Sequence, residues 1–357
     1  MTLVSQMSVL GRLRRRRSAP WMLLAALSVV FMSTAASCQL TGTSVSAGER
    51  IEREIQVAGL TREYILHTPR EMNDREPHKV LFVFHPGGAQ AAFMENNAAF
   101  HTAAGAEDFV VVYPEGVSRT FNAGVCCGLA LEQGVDDVAF FRAMMKDIAS
   151  IIPIRNKAYL TGFSNGAMLT YRLICEAPQL VAAAVPFAGA VPMNNCVSGH
   201  KVPVMHLNGG SDSQSLYGGE RNTPSRFPST SRFLTPPLEA LGAIARRNGC
   251  TTTLEAGDSI PAIDANCERY AGCPGDAPVR MCVIPELGHA WPGSGGSQFG
   301  GMMGGENGNN GFRQFPGRMG NFRREGSFNA ADMSERLGPF RPELDGTGPI
   351  IQFLRRF

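Results

Sequence analysis

Tyr159-Leu160-Thr161-Gly162-Phe163-Ser164-Asn165-Gly166-Ala167-Met168 is the stretch around which the chain is organised. It reads as a short apolar strand over 158–161, a serine flanked by glycines, and a helix from 165 to about 175. A serine between Gly162 and Gly166 fits the nucleophile-elbow pattern G-x-S-x-G. The pattern has a physical cause. A reactive serine must sit on a sharp strand-to-helix turn, in a strained backbone conformation that exposes its Oγ. The glycines let strand and helix approach without a side-chain clash. The helix that follows aims its N-terminal N–H groups at negative charge forming beside the serine.

Working outward, the neighbouring segments alternate between buried strands and helices. Upstream, 79–84 is a continuous apolar run ending in His85-Pro86-Gly87-Gly88, 91–104 reads as a helix, and 109–113 is a second apolar run. Val138, Phe141, Met145, Ile148 and Ile152 recur at helical spacing behind Asp136-Asp137, two aspartates read as helix caps. Downstream, 182–187, 202–207 and 279–284 read as strands, 238–247 as a helix stopped by Asn248-Gly249, and 350–357 as a closing helix. Strands buried on both faces and alternating with helices predict a mostly parallel sheet covered on both sides. The polar/apolar alternation of 52–58 and 62–68 adds an antiparallel N-terminal hairpin.

At 357 residues and 44% hydrophobic content the chain can bury one large core. Residues 51–357 are read as that domain and 38–50 as a polar linker. The first 37 residues read as an export signal: Arg12 and Arg14 to Arg17, an apolar run over 21–32, then small residues before Cys38. Cys38 in that position is read as a lipidated N-terminus, so that a lipid anchor is the chain's one contact with membrane. Ordinary secretion after cleavage near Ala36 or Ser37 is the alternative. The first 37 residues hold five arginines and no acid, leaving 28 basic and 31 acidic residues, net −3. That balance provides no electrostatic footprint for nucleic acid.

Of nine cysteines, eight remain after Cys38, an even number that suggests disulfides in an exported protein. By proximity, Cys126 and Cys127 are expected to pair with Cys175 and Cys196, with a strained bond between the adjacent Cys126 and Cys127 as the less favoured alternative. Cys250, Cys267, Cys273 and Cys282 are expected to pair among themselves. The spacing of Cys267 and Cys273, with no histidine pair, does not fit a zinc site. Residues 293–326, rich in Gly, Asn, Met and Arg, read as an insertion without periodicity. A lid and a tolerated surface loop both fit that composition.

A serine hydroxyl needs a general base, a group to orient that base, and donors for the oxyanion. In a parallel sheet these must come from loops at the carboxyl ends of strands. Among seven histidines, His289 follows a strand in a glycine-bounded turn and meets that criterion. His85 also ends a strand but precedes Ser164, and His206 lies inside a strand, where a satisfied core group is expected. His67, His78, His101 and His200 have no supporting context. Asp212 follows the 202–207 strand within a few residues and is the orienting acid. The order Ser164, Asp212, His289 is that of the α/β-hydrolase fold. The backbone N–H of Asn165 is one oxyanion donor; Pro86 has no N–H, so Gly87 or Gly88 is the second. Trp291 and Tyr217 are candidates for an aromatic substrate wall, with packing beneath the histidine loop as the other reading for Trp291.

Several further motifs accompany these residues: His85-Pro86-Gly87-Gly88, Tyr113-Pro114-Glu115-Gly116, Asn122-Ala123-Gly124 with Cys126-Cys127-Gly128, Val135-Asp136-Asp137-Val138 and Gly288-His289-Ala290-Trp291-Pro292-Gly293. Together with the serine motif they resemble the polyhydroxybutyrate depolymerase/feruloyl esterase family of secreted esterases, and also the esterase lipoproteins of actinobacteria. The resemblance spans about 51–292 and resumes near 328. It implies the same triad, Ser164, Asp212 and His289. Two positions depart from the family pattern: His85-Pro86 stands where His-Gly is usual, and Asn208-Gly209-Gly210-Ser211-Asp212 where His-Gly-Thr-x-Asp is usual.

The expected function is an exported serine esterase acting on carboxylic esters through an acyl-enzyme, of feruloyl/acetyl or polyhydroxyalkanoate type, with no metal or cofactor required. An acyltransferase with the same triad, or an inactive surface polymer-binding protein on the same scaffold, are the rivals.

Overall fold

The two alternating segments near the N-terminus form a hairpin, β1 (Arg50–Val57) and β2 (Leu60–His67), in antiparallel register from Arg50↔His67 to Val57↔Leu60. The computed structural model describes residues 45–72, 76–194, 196–215, 235–295 and 337–357, and these lie within one compact unit. The expected signal segment, Cys38, Tyr217 and most of the glycine-rich stretch fall outside them.

Six strands make the centre of the sheet: β3 (Lys79–Phe84), β4 (Phe109–Pro114), β5 (Ala158–Phe163), β6 (Val181–Phe187), β7 (Val204–Gly209) and, after two short strands, β10 (Val279–Ile284). The short strands are β8 (Leu254–Ala256) and β9 (Asn266–Tyr270). The sheet order is β1-β2-β4-β3-β5-β6-β7-β10-β9-β8. The six central strands run parallel, with an antiparallel pair at each margin. This is the α/β-hydrolase arrangement.

Near-continuous apolar strands follow from burial on both faces. In β3, Val80, Phe82 and Phe84 join one core while Leu81 and Val83 join the other, as the two-residue period requires. The first core lies under α3 (Asp137–Ala149), α4 (Asn165–Glu176) and α5 (Pro237–Asn248), which contribute Phe141, Met144, Leu173 and Ile244. The second lies under α1 (Ala91–Asn97) and α6 (Thr347–Leu354) and contains Phe100, Phe109, Tyr159, Trp291 and Ile350.

Several expected bounds shift, each for a local reason. The helix read over 91–104 stops at Asn97, because Ala99 turns to a left-handed φ of 44°. The last helix begins earlier than 350, where the Asp345 carboxylate accepts from the N–H groups of Thr347 and Gly348. Val202 lies outside the strand because the Asn248 side chain bonds both its N–H and its carbonyl. Only one of the two aspartates caps α3: Asp136 accepts from Ala139 N–H at 2.8 Å. Asp137 is buried, pairs with Arg62 at 2.7 Å and accepts from Asn122 N–H. A short helix, α2 (Gly128–Glu132), and the β8–β9 pair had no clear sequence signal.

The four late cysteines pair among themselves, as Cys250–Cys273 and Cys267–Cys282. The other expected pairing is corrected: Cys126 bonds its neighbour Cys127, and Cys175 bonds Cys196. The loop carrying Cys126 and Cys127 packs on the first residue of α4, through Asn165 and the Phe121 backbone. Cys175 lies in the last turn of that helix, about 15 Å further along, beside the loop that carries Cys196.

Candidate active site

Ser164 stands between β5 and α4 with φ 55° and ψ −113°, a conformation that costs a non-glycine residue roughly 1–3 kcal/mol. The surroundings leave it little choice. Its N–H is held by the Phe187 carbonyl at 2.9 Å, and its carbonyl accepts from Met168 N–H inside the new helix. A Cβ on Gly162 would meet the Gly166 carbonyl oxygen at 2.5 Å, so only glycine permits strand and helix to cross this closely.

His289 and Asp212 arrive on the loops after β10 and β7. Nδ1 of His289 lies 2.8 Å from Asp212 Oδ2, and Nε2 lies 2.9 Å from Ser164 Oγ. The second oxygen of Asp212 accepts from the N–H groups of Gln214 and Ser215 at 2.7 and 2.8 Å. Its carboxylate is therefore anchored by two backbone donors and offers one oxygen to the imidazole, which favours the Nδ1–H tautomer and leaves Nε2 as an acceptor for the serine proton. The histidine loop is itself held from outside the motif. Gly288 and His289 donate their N–H groups to the carbonyls of Pro339 and Leu337, at 2.8 and 2.5 Å. The His289 ring rests on Phe163, with centroids 4.9 Å apart.

Trp291 does not form a substrate wall. It is fully buried, against Phe187 at 5.4 Å, Phe100 at 6.0 Å and Phe163 at 6.3 Å between ring centroids. The packing reading applies: Trp291 is the floor of the histidine loop. Its indole N–H is buried without a partner among the described residues.

The loop after β3 distinguishes the two glycines that sequence reading left open. Gly88 N–H donates to the Arg119 carbonyl at 2.8 Å. Gly87 N–H and Asn165 N–H have no partner among the described residues, and a Cβ on Gly87 would lie 3.5 Å from Asn165 Cβ. Gly87 and Asn165 thus lie against each other at the start of α4, each with an N–H that is unpaired among the described residues. Pro86 is accommodated at the first position of a turn whose carbonyl accepts from Ala89 N–H, with Gly88 at φ 85° as a type II turn demands.

Sequence reading missed the groups that brace these amides. The Asn165 side chain pairs with the Phe121 backbone both ways, accepting its N–H at 2.7 Å and donating to its carbonyl at 2.9 Å. His85 is fully buried, one ring nitrogen on the Pro86 carbonyl and the other on Gly116 N–H, each at 2.9 Å. Burial chiefly lowers its pKa to about 4, helped by the Arg119 and Arg62 charges and opposed by the Pro86 bond. Both residues lay within the quoted motifs. Their backbone partners carry no residue-type signature. His206 is the satisfied core group expected, between Tyr171 Oη and Asn208. Among the described residues no group of His, Cys, Asp and Glu has the arrangement of a metal site.

No family model matches the chain. Feruloyl esterase B of Piromyces equi is 27% identical over 245 residues, covering 64% of this chain and 42% of that protein. The putative esterase NocK of Nocardia uniformis subsp. tsuyamanensis is 27% identical over 253 residues, covering 68% of this chain and 74% of that one. Among solved structures, an acetyl xylan esterase from Aspergillus awamori overlays with a TM-score of 0.48 at 15% identity, over 67% of this chain and 94% of its own. The match thus spans less than half of the Piromyces protein. At this level the chain is similar to feruloyl esterases and to a putative esterase.

Proposed function

We propose that the chain is a serine esterase that hydrolyses carboxylic esters through an acyl-enzyme. The observation that carries the reading is the hydrogen-bonded run from Asp212 through His289 to Ser164, next to Asn165 and, against it, Gly87, whose N–H groups have no partner among the described residues. In this reading Ser164 Oγ attacks the ester carbonyl as His289 Nε2 takes its proton. The N–H groups of Gly87 and Asn165 receive the oxyanion, and the imidazolium, held by Asp212, returns the proton to the departing alcohol. Water then repeats the cycle against the acyl-enzyme.

Feruloyl and acetyl esters are the favoured substrates, on the strength of the relatives' names, which include a bifunctional acetylxylan esterase/xylanase. Four disulfides favour an oxidising, exported setting, in keeping with a signal over 1–37. Lipidation at Cys38 is part of the proposal; Cys38→Ser is expected to release the protein from the membrane fraction, and unchanged partitioning would refute it. The activity is tested on purified mature protein with a panel of p-nitrophenyl, feruloyl, acetyl-glycan and hydroxyalkanoate esters. Turnover and fluorophosphonate labelling, both abolished by Ser164→Ala, are the expected results. A panel with neither would discard the reading.

A further inference from the structure

We propose that His85 is a positioning residue of the oxyanion hole, whose imidazole fixes the plane of the Pro86–Gly87 peptide and thereby aims the Gly87 N–H at the reacting carbonyl. The inference rests on the esterase reading and goes beyond it to a residue outside the triad. A trans peptide carries its C=O and N–H on opposite sides of one rigid plane. The Pro86 carbonyl and the Gly87 N–H belong to the same peptide, so whatever pins the carbonyl also orients the amide. Two donors pin it: His85 Nδ1 at 2.9 Å and Ala89 N–H at 3.1 Å. On the opposite side, Gly87 lies against Asn165, the residue that follows the nucleophile.

The ring chemistry admits one state. A carbonyl only accepts, so Nδ1 must carry the proton; Gly116 N–H only donates, so Nε2 must be bare. His85 is therefore a neutral Nδ1–H imidazole bridging the β3 and β4 loops. The same two loops are joined again by Gly88 N–H on the Arg119 carbonyl and, through α4, by Asn165 on Phe121. Protonation would put a second N–H against Gly116 and break the bridge. The facing charged groups are Arg119, Arg62 and the Glu115 carboxylate, 3.8 Å from Nε2. Complete burial and the two cations keep the ring neutral down to about pH 4.

Two substitutions divide the bridge. His85→Asn keeps an amide donor near the Nδ1 position, and His85→Gln keeps an acceptor near Nε2 but loses the bond to Pro86. Expected is a kcat loss of roughly 100-fold for His85→Gln, the scale of one oxyanion donor, with KM within about threefold. The Ki of a trifluoromethyl ketone should rise in parallel, and His85→Asn should retain kcat within about tenfold. A folded His85→Gln protein with kcat and Ki within threefold of wild type would overturn the proposal. So would equal losses in both variants. If neither folds, 15N NMR of the wild-type ring decides: a proton on Nδ1 and none on Nε2 at pH 7 supports the bridge, and the reverse tautomer refutes it. A wild-type protein that turns over no ester sinks the esterase reading instead, and the NMR measurement still reports on the bridge.

Discussion

The carboxyl edge of the parallel strands and the β8–β9 margin are held together by different means. At the carboxyl edge, Ser164, His289 and Asp212 meet through hydrogen bonds, backed by backbone donors from Gln214, Ser215, Gly288 and His289 and by a buried aromatic floor. At the margin, β8 is largely exposed and β9 buries only Cys267 and Tyr270 well. A strand pair with so little apolar area cannot hold itself by packing. Cys267–Cys282 bonds β9 to β10 at directly opposed positions, and Cys250–Cys273 ties the end of α5 to the turn after β9. Hydrogen-bonded geometry at one place and covalent staples at the other suggest that activity and stability separate along this line.

The largest expected effects break the carboxyl edge without touching the margin. Ser164→Ala should lower kcat by at least about 10⁴-fold, with the melting temperature unchanged within a few degrees. Asp212→Asn keeps the side-chain shape, but its amide can present an N–H to the His289 nitrogen and so favour the wrong tautomer. A fall in kcat of roughly 10³–10⁴-fold is expected, with KM little moved. Steady-state kinetics on folded protein checks both. A drop in melting temperature that matches the lost activity would mean that the two regions are not separable.

The converse test opens a staple. Replacing Cys267 and Cys282 by alanine together removes a link across 15 residues, and replacing Cys250 and Cys273 removes one across 23. Each pair should cost about 2–4 kcal/mol in denaturant unfolding, with kcat at 25 °C within twofold of wild type. A large loss of kcat would place the margin within the catalytic apparatus.

The same contrast explains what could be read from sequence. β3, β5 and β10 were legible to within a residue or two because strands buried on both faces must be apolar. Ser164, Asp212 and His289 were legible as candidates because one topological rule selects loops at the carboxyl ends of strands. The margin was not: β9 reads Asn-Cys-Glu-Arg-Tyr, a polar run whose strand character depends on a disulfide and on β10 beside it. Cys126–Cys127 was misassigned because sequence distance gives no account of where α4 carries Cys175. The support for the histidine loop was equally hidden, since the carbonyls of Leu337 and Pro339 carry no residue-type signal. In Trp291 an aromatic beside the histidine had two readings, and only packing decides between wall and floor.

The smallest expected effect lies at the carboxyl edge itself, in Glu115, one residue past β4. Its carboxylate accepts from Ala91 N–H at 2.7 Å and faces His85 at 3.8 Å. Burial is the main cause that pushes its pKa up to about 7, with Glu63 adding to it and the Ala91 bond, Arg119 and Arg62 opposing. A carboxyl whose folded pKa exceeds its unfolded value binds more protons in the folded state. Its favourable contribution is therefore present at low pH and is lost as pH rises from about 4.5 to about 7. Glu115→Gln keeps an acceptor for Ala91 and cannot ionise, so it should flatten that part of the stability profile. The stability lost between pH 5 and pH 8 should shrink by about 2–3 kcal/mol in the variant, measured by urea unfolding at fixed ionic strength. A variant whose profile still falls as steeply would show that Glu115 is ionised throughout and that the loop beside His85 is wetter than its packing implies.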